Sequence, residues 1–243
     1  MNALATPISR SEGLSKELRE GTVEAHRTAE RASYVRAFLR GILDPASYLA
    51  LLERLLPVYR NLEAALRAHR DHPAIGSLYR GELLRQSALE QDIRYFGGDP
   101  ASSRPLSAAT QCYVDRIRGV AQDRPELLIA HAYTRYLGDL SGGRVMGKMM
   151  RKSLNLCEGE GDTFYRFPEV SDAKAYKLAY KVMLDSLPVR SVRTDEIVTE
   201  ARHAFALNRA LFDELEGNAL RALVQTMAPT LSRWVFRYGV RSL

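Results

Sequence analysis

The chain has 243 residues and a formal net charge of +6, with 46% hydrophobic and 26% charged residues, the balance of a globular domain rather than a disordered or membrane-embedded chain. Two cysteines, Cys112 and Cys157, exclude a disulfide framework or thiolate metal site and point to a reducing, cytoplasmic setting. No secretory signal opens the chain, no apolar run approaches the ~20 residues of a transmembrane anchor, and no zinc spacing or basic recognition helix supports nucleic acid as the partner.

In chain order, residues 1–13 read as a flexible polar arm. Leu14, Leu18, Ala25 and Ala29, with either Val23 or Thr22, predict a helix over 14–32. It carries His26, with Thr22 and Glu30 one turn away on either side. Residues 34–41 read as a short helix ended by Gly41. Asp44-Pro45 opens a long helix to about His69, with Tyr48, Leu52, Leu55, Leu56 and Tyr59 along it and a break or kink near Pro57. His72-Pro73 starts a short helix. Another spans 81–96 and is closed by Gly97-Gly98, and a loop then leads to a helix over 107–121. A helix from Pro125 runs to about Leu154. Residues 155–171, rich in Gly, Asp and Pro, read as a surface loop, followed by helices over 172–186, 190–216 and 218–240. Strand-like alternation is absent, so the pattern predicts an all-α, single-domain helical bundle.

The stretch His131-Ala-Tyr-Thr-Arg-Tyr-Leu-Gly-Asp-Leu-Ser-Gly-Gly-Arg144 departs from this regularity. Gly138, Gly142, Gly143 and Gly147 each cost a helix roughly 0.8–1 kcal/mol against alanine. Gly138 and Gly142 share a face without side chains, which suits either a tight helix–helix contact or close approach to something flat. Asp139 lies between them, one turn after Tyr133, Arg135 and Tyr136, and an acid on a weakened helix favours the ligand.

Among the histidines, His26 stands out because Glu30 is placed to orient its second ring nitrogen. His131 reads as a core or network residue. Glu200-Ala-Arg-His203 has the spacing of a di-iron ligand pair, but the chain holds no second copy. Lys174, Lys177 and Lys181 recur at helical spacing, as a solvated face or as the rim of an anionic pocket. The acid-free segment from Asn218, with four arginines and Trp234, reads as a packing helix with a frayed end or as an interfacial contact.

At this point the residues carry a resemblance. Pro125 to Gly143 is similar to the signature of the haem oxygenase family, in its soluble bacterial and cyanobacterial form. Arg19-Glu-Gly-Thr-Val-Glu-Ala-His26, Ser87-Ala-Leu-Glu-Gln-Asp92 and Ala204-Phe-Ala-Leu-Asn208 extend the likeness across 14–216, with 217–243 left as a basic C-terminal helix or tail. The resemblance implies haem b sandwiched between a proximal helix and a kinked distal helix. His26 is then the axial iron ligand and Glu30 its partner. Gly138, Gly142 and Gly143 form the distal wall. Asp139 anchors distal water, with Tyr59, Tyr133, Arg135 and Asn208 around it, and Arg19, Lys177 and Lys181 meet the propionates.

The implied reaction uses O2 and electrons from reduced ferredoxin or a reductase to cleave haem to biliverdin, Fe2+ and CO, at the α-meso carbon. The implied protein is a monomer. A non-catalytic haem carrier is the alternative. Arg19 stands where the family usually has lysine, Lys181 where many members have arginine, Arg144 for glutamine and Gly147 for a common lysine.

Overall fold

The computed structural model describes residues 13–32, 34–35, 44–189 and 193–215. The rest of the expected polar arm, most of the 34–41 helix with Gly41, and the basic C-terminal segment lie outside the described residues. Among those described, every regular element is helical. The helices are α1 (Leu14–Gly21), α2 (Val23–Glu30), α3 (Pro45–Ala68), α4 (Gln86–Tyr95), α5 (Ala108–Asp123), α6 (Leu128–Ala132), α7 (Gly138–Leu154), α8 (Ala173–Ser186) and α9 (193–215).

The core forms around α3. Asp44 caps it by accepting the Ser47 amide at 2.9 Å, and Pro45 takes the first-turn position, where its missing N–H costs nothing. Its apolar residues are buried on several sides, against α4, α5 and α6. The helix does not break at Pro57. An interior proline costs about 3 kcal/mol, but Leu55, Leu56, Val58 and Tyr59 are all buried beside it, each worth about 1.5–3 kcal/mol. Gly97, at φ 80°, closes the chain after α4 as the Gly-Gly pair predicts.

Three expectations are corrected. The helix over 14–32 is split at Thr22, whose hydroxyl donates to the Leu18 carbonyl at 2.7 Å and whose backbone leaves helical geometry. Thr22 rather than Val23 is the buried residue. The carbonyl of Gly21, left open by the break, accepts from Arg202 Nε at 2.6 Å, and the Thr28 carbonyl accepts from Arg209 at 2.9 Å, so α9 holds the pair α1–α2 in place.

The single helix from Pro125 is instead a 3-10 turn, α6, one π-helical turn over Tyr133–Leu137, and α7. The irregularity precedes the glycines rather than falling on them. Lastly, the segment 155–171 is not wholly at the surface. Asp92 of α4 accepts the amides of Thr163 at 3.0 Å and Phe164 at 2.8 Å, which turns Phe164 and Tyr165 into the core.

Candidate active site

A cleft runs between α2 on one side and the π turn and α7 on the other. Its inner part, about 170 Å³, is lined by His26, Glu30, Gly138, Asp139, Gly142 and Phe205 among others. It continues into an outer part of about 680 Å³ lined by Arg19, His26, Tyr133, Lys177 and Lys181.

His26 is placed by the α2 helix that begins after Thr22. A histidine serving the core would be buried, but this side chain is 54% exposed. Nδ1 lies 3.5 Å from Glu30 Oε1, and the ring edge packs against Phe205 with centroids 5.6 Å apart. Among the described residues Nε2 has no hydrogen-bond partner. The neighbouring carboxylate favours a proton on Nδ1, which leaves Nε2 as a lone pair facing the cleft region.

Opposite His26, the α7 backbone presents Gly138 and Gly142. A Cβ added at either position would meet nothing within 4 Å, so these glycines border open space rather than a neighbouring helix. That decides between the two readings of the pair for this face. A tight contact does occur at Gly147, where an added Cβ would come within 2.9 Å of Tyr165 Cβ, but its partner is the short turn at Thr163–Tyr165 rather than a second long helix.

Behind the glycines sits a polar network. Tyr59 donates its hydroxyl proton to Asp139 Oδ2. Arg135 donates to the Tyr59 oxygen from Nε at 2.9 Å and Nη2 at 2.8 Å, and to Asn208 Oδ1 from Nη1. The π turn is what allows this. By widening one turn it sets Arg135 onto the Tyr59 side, with the guanidinium 4.9 Å from the Tyr59 ring centroid, while Asp139 still reaches the cleft. Burial pushes the Asp139 carboxyl above the usual carboxylate range, and Arg135 and Tyr59 oppose it. Burial likewise pushes the Tyr59 hydroxyl up, so it remains a donor at any physiological pH.

Four residues dispersed in sequence, Tyr59, Arg135, Asp139 and Asn208, are therefore in one connected group. Tyr133 is outside it. It lines the outer cleft beside Thr22 and Arg19. Lys177 donates to Ser141 Oγ at 3.4 Å, and Arg19 is exposed beside Glu20 at the same mouth. His131 is a network residue: fully buried, it donates from Nε2 to Glu200 at 2.9 Å, and Glu200 also takes Arg116. His203 of the same spacing motif is exposed, and no metal-binding cluster of His, Cys, Asp and Glu occurs among the described residues.

Apolar walls, a glycine face, an unengaged imidazole and a cationic mouth together suit a flat apolar ring that bears carboxylates and a metal. Residues 12–214 match the family model described as Heme oxygenase. The chain belongs to the haem oxygenase family. It is 42% identical to Heme oxygenase 1 of Synechocystis sp. over 224 residues, covering 92% of this chain and 93% of that protein. It is 41% identical to the Heme oxygenase of Pyropia yezoensis over 226 residues, 93% of this chain and 95% of that one. The crystal structure of heme oxygenase-1 from Synechocystis in complex with heme aligns with TM-score 0.82 at 41% identity, over 90% of this chain and 99% of that one. A structure of the enzyme from Leptospira interrogans gives TM-score 0.78 at 41% identity, over 83% and 99%.

The haem oxygenase cleft also contains residues that sequence reasoning did not assign. Phe205 and Phe212 border it from α9, three before and four after Asn208, on the same helical face. Their spacing around Asn208 was the available signal. Phe164 and Tyr165 had none, because the fold of their segment depends on Asp92 far away in the chain.

Proposed function

We propose that this chain is a biliverdin-forming haem oxygenase in which His26 holds the iron and Asp139 governs proton delivery. The observation that carries the reading is the opposition of His26 and the side-chain-free Gly138–Gly142 face across one cleft, with the Asp139 network immediately behind that face.

Haem bound there supplies an iron that activates O2 and a ring that is itself opened to biliverdin, Fe2+ and CO. The chain's own work is narrower. His26 ligates through Nε2, while Glu30 accepts Nδ1–H and keeps the ring in that tautomer. Gly138, Gly142 and Gly143 let the α7 backbone close on the ring and limit the room beside the iron, which restricts where O2 can lie. Asp139 Oδ2 is taken by Tyr59, whereas Oδ1 has only Arg135 Nη2 at 3.6 Å. Oδ1 is thus the atom that holds a cleft water by accepting its hydrogen, and that water is the proton donor. A carboxylate acting through water delivers a proton without offering an acid directly to the iron-bound ligand.

Arg19, Lys177 and Lys181 pair with the ring carboxylates at the mouth, and Tyr133 hydrogen-bonds in the same region. The electron donor is an acidic carrier, a ferredoxin, that docks on this edge. Lys174, Lys177 and Lys181 of α8 flank Leu178 and Val182, which are 65% and 62% exposed and supply an apolar centre for a charged rim. Both cysteines are free and exposed, which fits a reducing cytoplasm, and no described helix is long and apolar enough to cross a membrane.

The test is haem titration of the full chain followed by turnover with ascorbate or reduced ferredoxin. The expected result is a one-to-one complex with an imidazole-ligated Soret band, absent in His26→Ala, and conversion to biliverdin. A wild-type Soret band in His26→Ala would move the ligand elsewhere. Tight haem binding without biliverdin would make the chain a carrier.

A further inference from the structure

On the other side of Gly143 from the haem cleft lies a second cavity, about 320 Å³, between α7 and the segment that follows Tyr165. Gly143 and Tyr165 line both spaces, so the Tyr165 ring is the partition between them. Gly143 and Gly147 let α7 approach Tyr165 closely, since a Cβ at these positions would lie 3.4 Å and 2.9 Å from that side chain, and this packing seats Tyr165 as a wall of the second cavity.

The charge around it is uneven. Arg144, Lys148 and Arg151 project from one stripe of α7 at i, i+4 and i+7, and Arg166 faces them from the opposite wall. Asp162, fully buried, accepts from Arg151 and lies 4.0 Å from Arg166, so one carboxylate answers two guanidinium groups. Arg144 is in the field of Asp172, and Glu158 is the acid among the lining residues. Lys148 has no hydrogen-bond or ion-pair partner among the described residues. A basic stripe on a helix is ordinarily a solvated face. Here the stripe borders a concavity with an apolar floor of Tyr165, Phe167 and Val170, where low-dielectric walls strengthen and focus the field.

We propose that this cavity is a second ligand site, for a compact molecule that carries a carboxylate or phosphate on a small apolar body. The oxyanion would lie between Lys148, Arg144 and Arg166, and the body against Tyr165 and Phe167. The volume stands at the low end of small-molecule pockets, which suits a ligand far smaller than a tetrapyrrole. Such a ligand would tie α7 to the 165–173 segment directly behind the glycine-bearing turn, and its site is separate from the propionate-binding mouth formed by Arg19, Lys177 and Lys181.

The test is calorimetric titration of the full chain, haem-free and haem-loaded, at low salt, with inorganic phosphate in one arm and benzoate in the other. One-to-one saturable binding with a dissociation constant below ~1 mM is expected in at least one arm, and the arm identifies which oxyanion is recognised. Binding should persist when haem fills the cleft, and weaken by ~10-fold or more in Lys148→Ala and in Arg144→Gln, each of which removes a charged contact. No saturable binding in either arm overturns the proposal, as does binding abolished by haem or unchanged in both variants. None of these outcomes bears on haem cleavage itself.

Discussion

Arg135 donates twice to the hydroxyl of Tyr59, from Nε at 2.9 Å and from Nη2 at 2.8 Å. These bonds fill both acceptor positions of the oxygen, so its one proton is directed to Asp139. Burial pushes the Asp139 carboxyl up, and the Tyr59 hydrogen bond and the Arg135 charge act against that rise. Replacing Tyr59 with phenylalanine removes that donor and should raise the Asp139 pKa further. Because the account needs Asp139 as a carboxylate, the acid limb of the pH–activity profile should move to higher pH in Tyr59→Phe, with haem affinity little changed. A profile that does not move would detach Tyr59 from the proton path.

The glycines of α7 differ in what they face, and alanine substitution separates them. Gly142→Ala meets open space in the haem-free protein, so it should stabilise that form by roughly 0.5–1 kcal/mol while weakening haem binding. Gly147→Ala runs into Tyr165 and should destabilise the fold without entering the haem cleft. Thermal unfolding of the haem-free variants, paired with haem titration, reads both effects. Equal behaviour of the two would contradict the assignment of their faces.

Docking of an acidic donor on the α8 edge should depend on salt. Screening over a Debye length of ~8–10 Å should slow reduction by ferredoxin as ionic strength rises through the physiological range. Charge reversal at Lys174, at the rim of the outer cleft, should reproduce much of that loss at low salt. Stopped-flow reduction rates indifferent to both salt and Lys174→Glu would place the donor elsewhere.

The buried group His131, Glu200 and Arg116 bears on stability rather than catalysis. Burial alone would raise the Glu200 carboxyl, but hydrogen bonds from Arg116 and His131 hold it down at about 2 against an ordinary 4.5. A depressed carboxyl contributes stability that is present above about pH 4.5 and is lost as pH falls toward 2. The size is on the order of 3 kcal/mol. Burial lowers the His131 pKa, so the fold also loses stability as pH falls below the ordinary 6.5, because the unfolded chain takes up that proton more readily. In Glu200→Gln the neutral-pH stability should drop, and the fall between pH 4.5 and 2 should flatten. Denaturant unfolding across pH measures this, and an unchanged slope would contradict the ion-pair reading.

Much of this site was legible in the chain because it is local. His26 and Glu30 share one helix face, and Gly138, Asp139 and Gly142 lie within two turns. Their joining with Tyr59 and Asn208 came from resemblance, and the packing of α3 and α9 around the π turn is its physical basis. What escaped was decided by distant partners. The break at Thr22 is accompanied by Arg202 reaching the Gly21 carbonyl from α9. The inward course of Phe164 and Tyr165 follows from Asp92, and a segment rich in Gly, Asp and Pro carries no sign of it. The glycine content pointed to an irregular helix at Gly138–Gly147, yet α7 is regular there and the extra-wide turn sits at Tyr133–Leu137, where Arg135 reaches both Tyr59 and Asn208.

The most direct test of the account is single-turnover biliverdin formation by the haem complex of Asp139→Ala. The substitution leaves His26, the glycine face and the cationic mouth in place, so haem affinity should change by less than ~1 kcal/mol. Proton positioning of this kind is worth about 10²–10⁴-fold, and biliverdin formation should fall by a factor in that range. Wild-type rates of biliverdin formation from the fully haem-loaded variant would show that the proton arrives by another route and that Asp139 is not the centre of this site.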